Sequence, residues 1–586
     1  MQQADDWSRT RLMMAAVGAA GGLASWGLAE VLPDMIDNAR LLMFLFIAIL
    51  GFFMVLLSLA GPNSVRRATL PALGMSLAVA VLTVWASLRF AEVKDFLDAG
   101  HPAAALIIIY LVATPFVSVR LEHGRAGWLL YEHLFQTAWG LIVRAIAAAL
   151  FTGVFWGVLF LSDALLGLVG IDLIERIIDL EPMPFLITGT VVGLALAVAH
   201  EWREYVSPHL LLRLFRLLVP LVVPVLALFI IAVGLSGLEG TLNFFSETAL
   251  LTAVAIGGIT LVTVSVDRDR DHQVSARWMV WMVRALAVLL LPVALLALWG
   301  IGARVLQYGW TPQRVLAALC VFNISLYGLV YAALVLWRGD WMRRVRRANV
   351  GLALWTLLLA VLWLTPVLNA ERLSATTQAQ RILSGRAAVK DAAIWEMSDE
   401  WGGAGKRALS TLRDTADYPQ RPEILVQIDR AEGADSRWDF ERNLKNETTK
   451  ELSKELHALV PVFPEGQSLP ETAFDGLRTY ELKRIKNACE AGSDGCLFLM
   501  VPFRPDLDRP EGLLAYATSD TQVEVKSYQL KDGKLIRSGG LRDVATSERV
   551  RLTRQNLADI RAGQYEIAPA PVNVLKLGGN SIFPDN

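Results

Sequence analysis

The sequence predicts an α-helical polytopic membrane bundle of about eleven spans followed by a soluble α+β domain. Three observations carry that prediction. Eleven apolar segments, most close to the ~20 residues a bilayer requires, run between Leu12 and Asn369. The loops joining them alternate in charge, arginine-rich and then acidic. Composition then changes abruptly: Lys94 is the only lysine before Asn369, whereas lysine is frequent from Lys390 onward and the apolar runs shrink to strand length. A chain of 586 residues with 54% hydrophobic and 19% charged residues is too apolar to be an ordinary soluble protein.

In chain order the spans fall at about 12–32, 41–60, 70–90, 102–119, 137–168, 184–200, 210–235, 249–266, 279–302, 315–337 and 350–368. The first is longer than the apolar core of a signal peptide, lacks a small-residue cleavage site and is followed by a second span, so it reads as a retained helix. Arg9 and Arg11, Arg66 and Arg67, Arg120 and Arg125, Arg203, Arg213 and Arg216, Arg268, Arg270 and Arg277, and the run from Arg338 to Arg347 share one side. The positive-inside rule makes that side cytoplasmic. Opposite loops carry Glu30, Asp34 and Asp37, then Glu92, Asp95 and Asp98, then Asp172 to Glu181, then Glu239 and Glu247, with scattered Arg40, Arg89, Lys94, Arg176, Arg304 and Arg314. An odd number of spans starting inside places the tail outside, in the periplasm of a bacterial inner membrane. Trp26, Trp85, Trp128, Trp278, Trp281, Trp299, Trp337 and Trp341 fall near span ends, as an interfacial belt requires.

The expected organisation is a membrane domain over 1–368, a helical neck over 369–415 and a periplasmic α+β domain over 416–586. In the last two, Glu371–Leu383 and Lys390–Arg413 have helical spacing, and Ile424–Ile428, Cys496–Val501, Gly512–Ala517, Val523–Leu530 and Lys534–Ser538 read as strands. Asp532-Gly533 signals a hairpin, because both residues tolerate the positive φ its turn needs. Phe474–Cys489 and Val544–Arg561 read as helices, and a small sheet with helices on one face fits the pattern. Cys489 and Cys496 form a candidate disulfide around a Gly-Ser-Asp-Gly turn, which an oxidising compartment would favour, with two free thiols as the alternative. Cys320, inside the tenth span, reads as a small packing residue.

Chemical signatures are few. Gly402-Gly403-Ala404-Gly405-Lys406-Arg407 resembles a phosphate loop but has the wrong spacing and no hydroxyl for Mg²⁺. Asp506-Leu507-Asp508 opens like a calcium loop, but Pro510 and Glu511 occupy positions that such a loop cannot give them. The seven histidines form no HExxH pair, and no GxSxG elbow occurs. No catalytic, cofactor-binding or metal-ligating set is assigned; neither part is strongly basic, and the soluble tail lacks the clustered Lys and Arg that nucleic acid needs. Within the spans, Arg144, Asp163, His200, Arg284 and Asn323 are the costly residues. Arg144 and Asp163 lie nineteen positions apart on one helix, about 28 Å at about 1.5 Å per residue, too far to pair. Asp163 is the candidate for titration or cation capture, while Pro220, Pro224 and Pro292 predict kinks that could open a cavity.

Tyr308-Gly309-Trp310-Thr311-Pro312-Gln313-Arg314 stands between the ninth and tenth spans, with Thr311 suited to cap the tenth helix and Pro312 to begin it. This motif, the many spans before it, and the segments Leu368-Asn369-Ala370-Glu371-Arg372-Leu373-Ser374 and Gln378-Ala379-Gln380-Arg381-Ile382-Leu383-Ser384-Gly385 resemble a bacterial family of multi-pass inner-membrane proteins catalogued as domain of unknown function 4153. The resemblance covers the membrane part and the neck. It implies a polytopic envelope protein and supplies no reaction or catalytic residues to carry over. Tyr308, Trp310, Pro312, Arg314 and Gln380 are therefore candidates by motif position, against the simpler reading of helix initiation and neck packing.

Three functional classes follow. The leading one is a non-enzymatic bundle anchoring a periplasmic binding or assembly module, whose partners would be the bilayer and a periplasmic protein, lipid or small solute. The second is a transporter or flippase using a polar path near Asp163, which no inverted repeat or ATPase domain supports. The third is a lipid-linked glycosyltransferase-like enzyme, whose long first outer loop has a counterpart here of only about eight residues.

Overall fold

The computed structural model describes the chain except for residues 1, 61–63, 202–207, 237–244, 338, 491–494, 504–509, 519–521, 541–551, 568–574, 578–579 and 583–586. Among the described residues, eleven helices are long and apolar enough to cross a membrane. They are α1 Gln2–Trp26, α2 Ala39–Ala60, α3 Val65–Ser87, α4 His101–Gly127, α5 Tyr131–Gly167, α6 Met183–Glu201, α7 Val219–Ser236, α8 Phe245–Val266, α9 Arg277–Tyr308, α10 Pro312–Leu336 and α11 Trp341–Trp363. Each coincides with one expected span. The expected neck, 369–415, contains α12 Ala370–Leu383 and α13 Gly402–Asp414; α14 Arg421–Glu432 follows, and the chain divides into two compact units, Met1–Asp429 and Arg430–Asn586.

Within the first unit the closest helix pairing joins α1 to α6. A Cβ added at Gly18 or Gly22 would strike the Gly189 or Phe185 carbonyl, and one at Gly189 or Gly193 would strike the Gly18 or Met14 carbonyl. Two small-xxx-small stripes therefore let the backbones touch, as membrane helices do where no hydrophobic drive separates protein from lipid. The larger core joins α7 to α11 through Val223, Ala255, Leu286, Leu290, Val321 and Tyr331.

Polar groups buried at the arginine-rich end are spent on backbone. Arg346 donates to the Val266 and Asp269 carbonyls at 2.8 and 3.0 Å, and Arg216 to those of Val264 and His272 at 3.1 and 3.0 Å while ion-pairing with Asp267. Together they hold the turn between α8 and α9. Tyr331 donates to Asn349 Oδ1 at 2.6 Å, and Asn349 reaches Tyr131 Oη at 3.5 Å. Trp341, expected in the interfacial belt, is instead buried, with the Arg284 guanidinium 5.7 Å from its ring centroid. Trp85, Trp278, Trp281, Trp299 and Trp337 are exposed at span ends.

The second unit contains α15 Arg437–Leu459, α16 Thr479–Glu490 and α17 Arg554–Arg561 around a five-stranded sheet. Its strands are β1 Val462–Phe463, β2 Cys496–Met500, β3 Glu511–Ala517, β4 Val523–Lys531 and β5 Lys534–Gly540, in spatial order of sequence. β1 runs parallel to β2 and the others are antiparallel. Asp532 and Gly533 turn the β4–β5 hairpin with φ of 51° and 76°. Period-2 alternation sends Phe498, Leu514, Tyr516 and Tyr528 toward Leu456 of α15 and Ile485 of α16. It sends Leu497, Leu499 and Ala515 toward Leu557 of α17. The expectation of helices on one face is thus corrected: α17 covers part of the other. A second correction concerns Ile424–Ile428, which lies in α14. Its two isoleucines are buried four residues apart, the spacing of one helix face, and a five-residue apolar run cannot distinguish strand from helix. The Asp506–Asp508 segment and most of 544–553 fall outside the described residues.

Candidate functional site

The neck helix α12 inverts the usual rule of burial. Asn369 caps it, its Oδ1 accepting from the Arg372 amide at 2.8 Å. Glu371, Ser374 and Gln378 then recur at i, i+3 and i+7, the spacing of one face. That face is buried: the three residues are 1%, 0% and 3% exposed. A polar stripe turned inward costs free energy unless it is met by partners; the ends of the membrane helices supply them to Glu371 and Gln378, while the Ser374 hydroxyl has none among the described residues.

Glu371 enters a cluster drawn from α3, α4 and α11. His101, the first residue of α4, places Nε2 3.1 Å from Glu371 Oε1, and Arg89, just beyond α3, places Nη1 3.4 Å from Oε2. Arg89 also donates to the Trp363 carbonyl at 3.0 Å and to that of Thr365, which tethers the end of α11. Trp363 donates its indole N–H to His101 Nδ1 at 3.2 Å, so Nδ1 presents a lone pair and the ring proton sits on Nε2, toward the carboxylate. The His101–Glu371 approach lies off the hydrogen-bond line and acts through charge and dipole. Burial pushes the Glu371 carboxyl up, but its contacts with His101 and the Arg89 charge outweigh that and hold it below the ordinary carboxylate value.

Gln378 makes the second clamp. Its amide donates to the Tyr308 carbonyl at 2.9 Å and the Trp310 carbonyl at 3.0 Å, and Arg381 one turn on donates to Gln307 O at 2.8 Å. Gly309 sits beneath them with φ of 78°, and a Cβ there would lie 2.6 Å from Gln378 Nε2. Only glycine suits both the turn and the contact. Arg314 returns to Gly309 O at 2.8 Å with its guanidinium 5.5 Å from the Tyr308 ring centroid. Thr311 accepts from the Arg314 amide at 3.3 Å as the cap of α10, and Pro312 is its buried first residue.

The motif candidates therefore converge. Tyr308, Trp310, Pro312 and Arg314 form the loop that the neck grips, mainly through main-chain carbonyls. Gln380 points away and is exposed; Gln378, two residues earlier, is the residue that docks. Arg89, one of the scattered basic residues of the acidic loops, is the hub. The glycine-rich run 402–407 also finds its reason here: Gly403 N donates to the Arg89 carbonyl at 3.0 Å, and a Cβ on Gly402, whose φ is 51°, would stand 2.6 Å from that oxygen. These glycines let α13 touch the end of α3.

Asp163 lies apart from this cluster. Its Oδ1 accepts from the Glu175 amide at 3.0 Å, so it caps the short helix Leu173–Ile178 after α5. Two cavities of ≈ 370 and ≈ 460 Å³ lie among α1, α2, α5 and α6, away from Asp163 and from Pro220, Pro224 and Pro292. Asn323 exchanges hydrogen bonds with Thr356 at 3.2 and 3.4 Å. In the second unit Cys489 and Cys496 are disulfide-bonded, joining the end of α16 to the start of β2. Lys526 there binds Glu481 at 2.8 Å and Glu524 at 3.0 Å, and Tyr528 donates to Glu481 at 2.8 Å, an ionic group satisfied within the fold. Family models, curated proteins and solved structures give no match to this chain.

Proposed function

We propose that this chain is a bacterial inner-membrane envelope protein whose helical bundle anchors a periplasmic binding or assembly module. In this reading the amino terminus and the arginine-rich loops are cytoplasmic, and the unit from Arg430 onward is periplasmic. The observation that carries the anchoring role is the buried polar face of α12. A segment that merely joined two parts would have no cause to desolvate Glu371, Ser374 and Gln378 against the ends of α3, α4, α9 and α11. Clamping both ends of that face fixes the path by which the chain leaves the bundle.

Two further observations support the orientation: the charge alternation of the loops, and the Cys489–Cys496 bond, which persists in an oxidising compartment. The likeness of the Tyr308–Arg314 and neck motifs to the bacterial inner-membrane family points the same way. Transport through Asp163 is disfavoured by that carboxylate's use as a helix cap. The module's ligand would be a periplasmic protein, lipid or small solute.

The test is a graft. In a host lacking the protein, residues 430–586 exported on an unrelated single membrane helix should restore the deletion phenotype if the bundle is an anchor. Restoration by the bundle alone would refute the proposal. For orientation, a Lys450→Cys probe in a chain lacking other reactive thiols should react with a membrane-impermeant reagent in intact spheroplasts. Reaction only after lysis reverses the topology.

A further inference from the structure

We propose that Arg284 holds the phosphate of one anionic phospholipid at the arginine-rich end of α9, beside the exposed ring of Trp281. Depth is the first argument. From Ala285 to Ala303 α9 carries no charged residue, and Arg284 and Arg304 close that stretch at its two ends. Their separation of twenty positions, at about 1.5 Å per residue, makes roughly 30 Å, the thickness of the hydrocarbon core. The two arginines therefore bracket the core, and Arg284 stands where lipid chains give way to headgroups. Trp278 and Trp281 lie exposed just outside it, and Trp299 just inside the other end, as interfacial rings do.

The second argument is a missing counter-charge. Arg284 is part-buried, with its guanidinium 5.4 Å from the Trp281 ring centroid and 5.7 Å from that of Trp341. Trp341 is 4% exposed and closes the protein side, whereas Trp281 is 67% exposed and faces the bilayer. Among the described residues no hydrogen bond or ion pair reaches the guanidinium, and its Nε is buried without a partner. Arg216 and Arg346 at the same end are met by carbonyls and a carboxylate. Asp340, the acidic residue next to Trp341, is taken by Arg270 at 2.6 Å and by the Arg343 amide at 3.2 Å. Two rings stabilise a cation without neutralising it, so its planar N–H groups are left to be met from outside the protein.

The surroundings select the sign of the occupant. Arg277, Trp281 and Arg284 recur at i, i+4 and i+7, one face of α9. Arg277 is exposed, as are Arg343 and Arg347, which follow Trp341 on α11. A zwitterionic headgroup brings a cation of its own into this field, and an anionic one brings none. The guanidinium fork matches a phosphate in shape as well as in charge, and a charge at this depth is costly unless it has a task. A soluble phosphate would have to leave water for the edge of the hydrocarbon, whereas a phospholipid already carries its phosphate there. The lipid is therefore the source.

Native mass spectrometry of the purified full chain tests this with phosphatidylglycerol, phosphatidylcholine of the same chains, and glycerol 1-phosphate. The first phosphatidylglycerol should be retained about tenfold more tightly than the first phosphatidylcholine, the scale of one charge-assisted contact. Arg284→Gln should remove most of that preference, while Arg347→Gln, which deletes an equal charge from an exposed position, should keep it. Trp281→Leu alters an exposed ring and leaves the arginine in place, so it serves if Arg284→Gln does not fold; it should lower the preference about threefold. The proposal is overturned if the wild-type chain holds both phospholipids equally, if Arg347→Gln loses as much preference as Arg284→Gln, or if Trp281→Leu keeps the full preference. It also fails if glycerol 1-phosphate displaces phosphatidylglycerol, which would make the site one for a soluble anion.

Discussion

Glu371→Gln isolates the charge at the centre of the neck clamp, because the amide preserves shape and one acceptor while deleting the carboxylate that faces Arg89 and His101. The side chains of Glu371 and Arg89 are 2% and 12% exposed, so water screens the pair poorly. Removing one partner of a buried pair outright costs about 3–5 kcal/mol. Arg89 keeps its bonds to the Trp363 and Thr365 carbonyls, which leaves about 2–3 kcal/mol, the scale of hydrogen bonds to a charged group. At a tenfold change per 1.4 kcal/mol, local opening of α12 should become roughly 30- to 140-fold more frequent. Hydrogen exchange of amides 372–383 in nanodisc-embedded full-length protein reads that opening directly. Exchange in α1, α6 and α15 should not change. A change of less than about threefold in α12 would refute the claim that this carboxylate holds the neck.

Three other expectations follow from the same contacts. Gly309→Ala meets both a positive φ and the Gln378 amide, so it should cost about 1–3 kcal/mol of backbone strain or more, seen as faster exchange in 378–383 and a lower melting temperature. The depressed Glu371 carboxyl makes the clamp fully effective above the unfolded carboxylate value of about 4.3. Protection of α12 should therefore hold from neutral pH to about 5 and fall as acid protonates the folded carboxyl, and Glu371→Gln should flatten that profile. Reduction of Cys489–Cys496, which closes a loop of sequence separation 7, should destabilise the second unit by about 2.5 kcal/mol in the chain-entropy account; equal denaturation midpoints for Cys496→Ser and wild type would contradict it.

The membrane part was legible because a span must be apolar along its whole length, a signal that every one of the eleven helices carries. Thr311 and Pro312 were legible for a local reason, as cap and first turn. The neck clamp was not, since Arg89 and Glu371 are separated by 282 positions and nothing in either's neighbourhood announces the other. One signal was present: Glu371, Ser374 and Gln378 make a polar stripe at helical spacing that Arg381 continues, while Arg372 and Leu373 lie off it. Motif position singles out Gln380, whereas helical phase singles out Gln378. Ile424–Ile428 failed in the opposite way, through a run too short to show its period.

The α1–α6 glycine contact bears on how the chain is made. Gly18 and Gly189 are 171 positions apart, so at about 5–20 residues per second the ribosome needs roughly 9–34 s to deliver the second stripe after the first. For that interval the opening span stands in the bilayer with its backbone notch unfilled, a shape that any other helix with small residues could enter. Timing, as much as affinity, then decides whether the first span finds its own partner, and slowing synthesis between Ala39 and Met183 should raise the yield of mispaired, degraded chains.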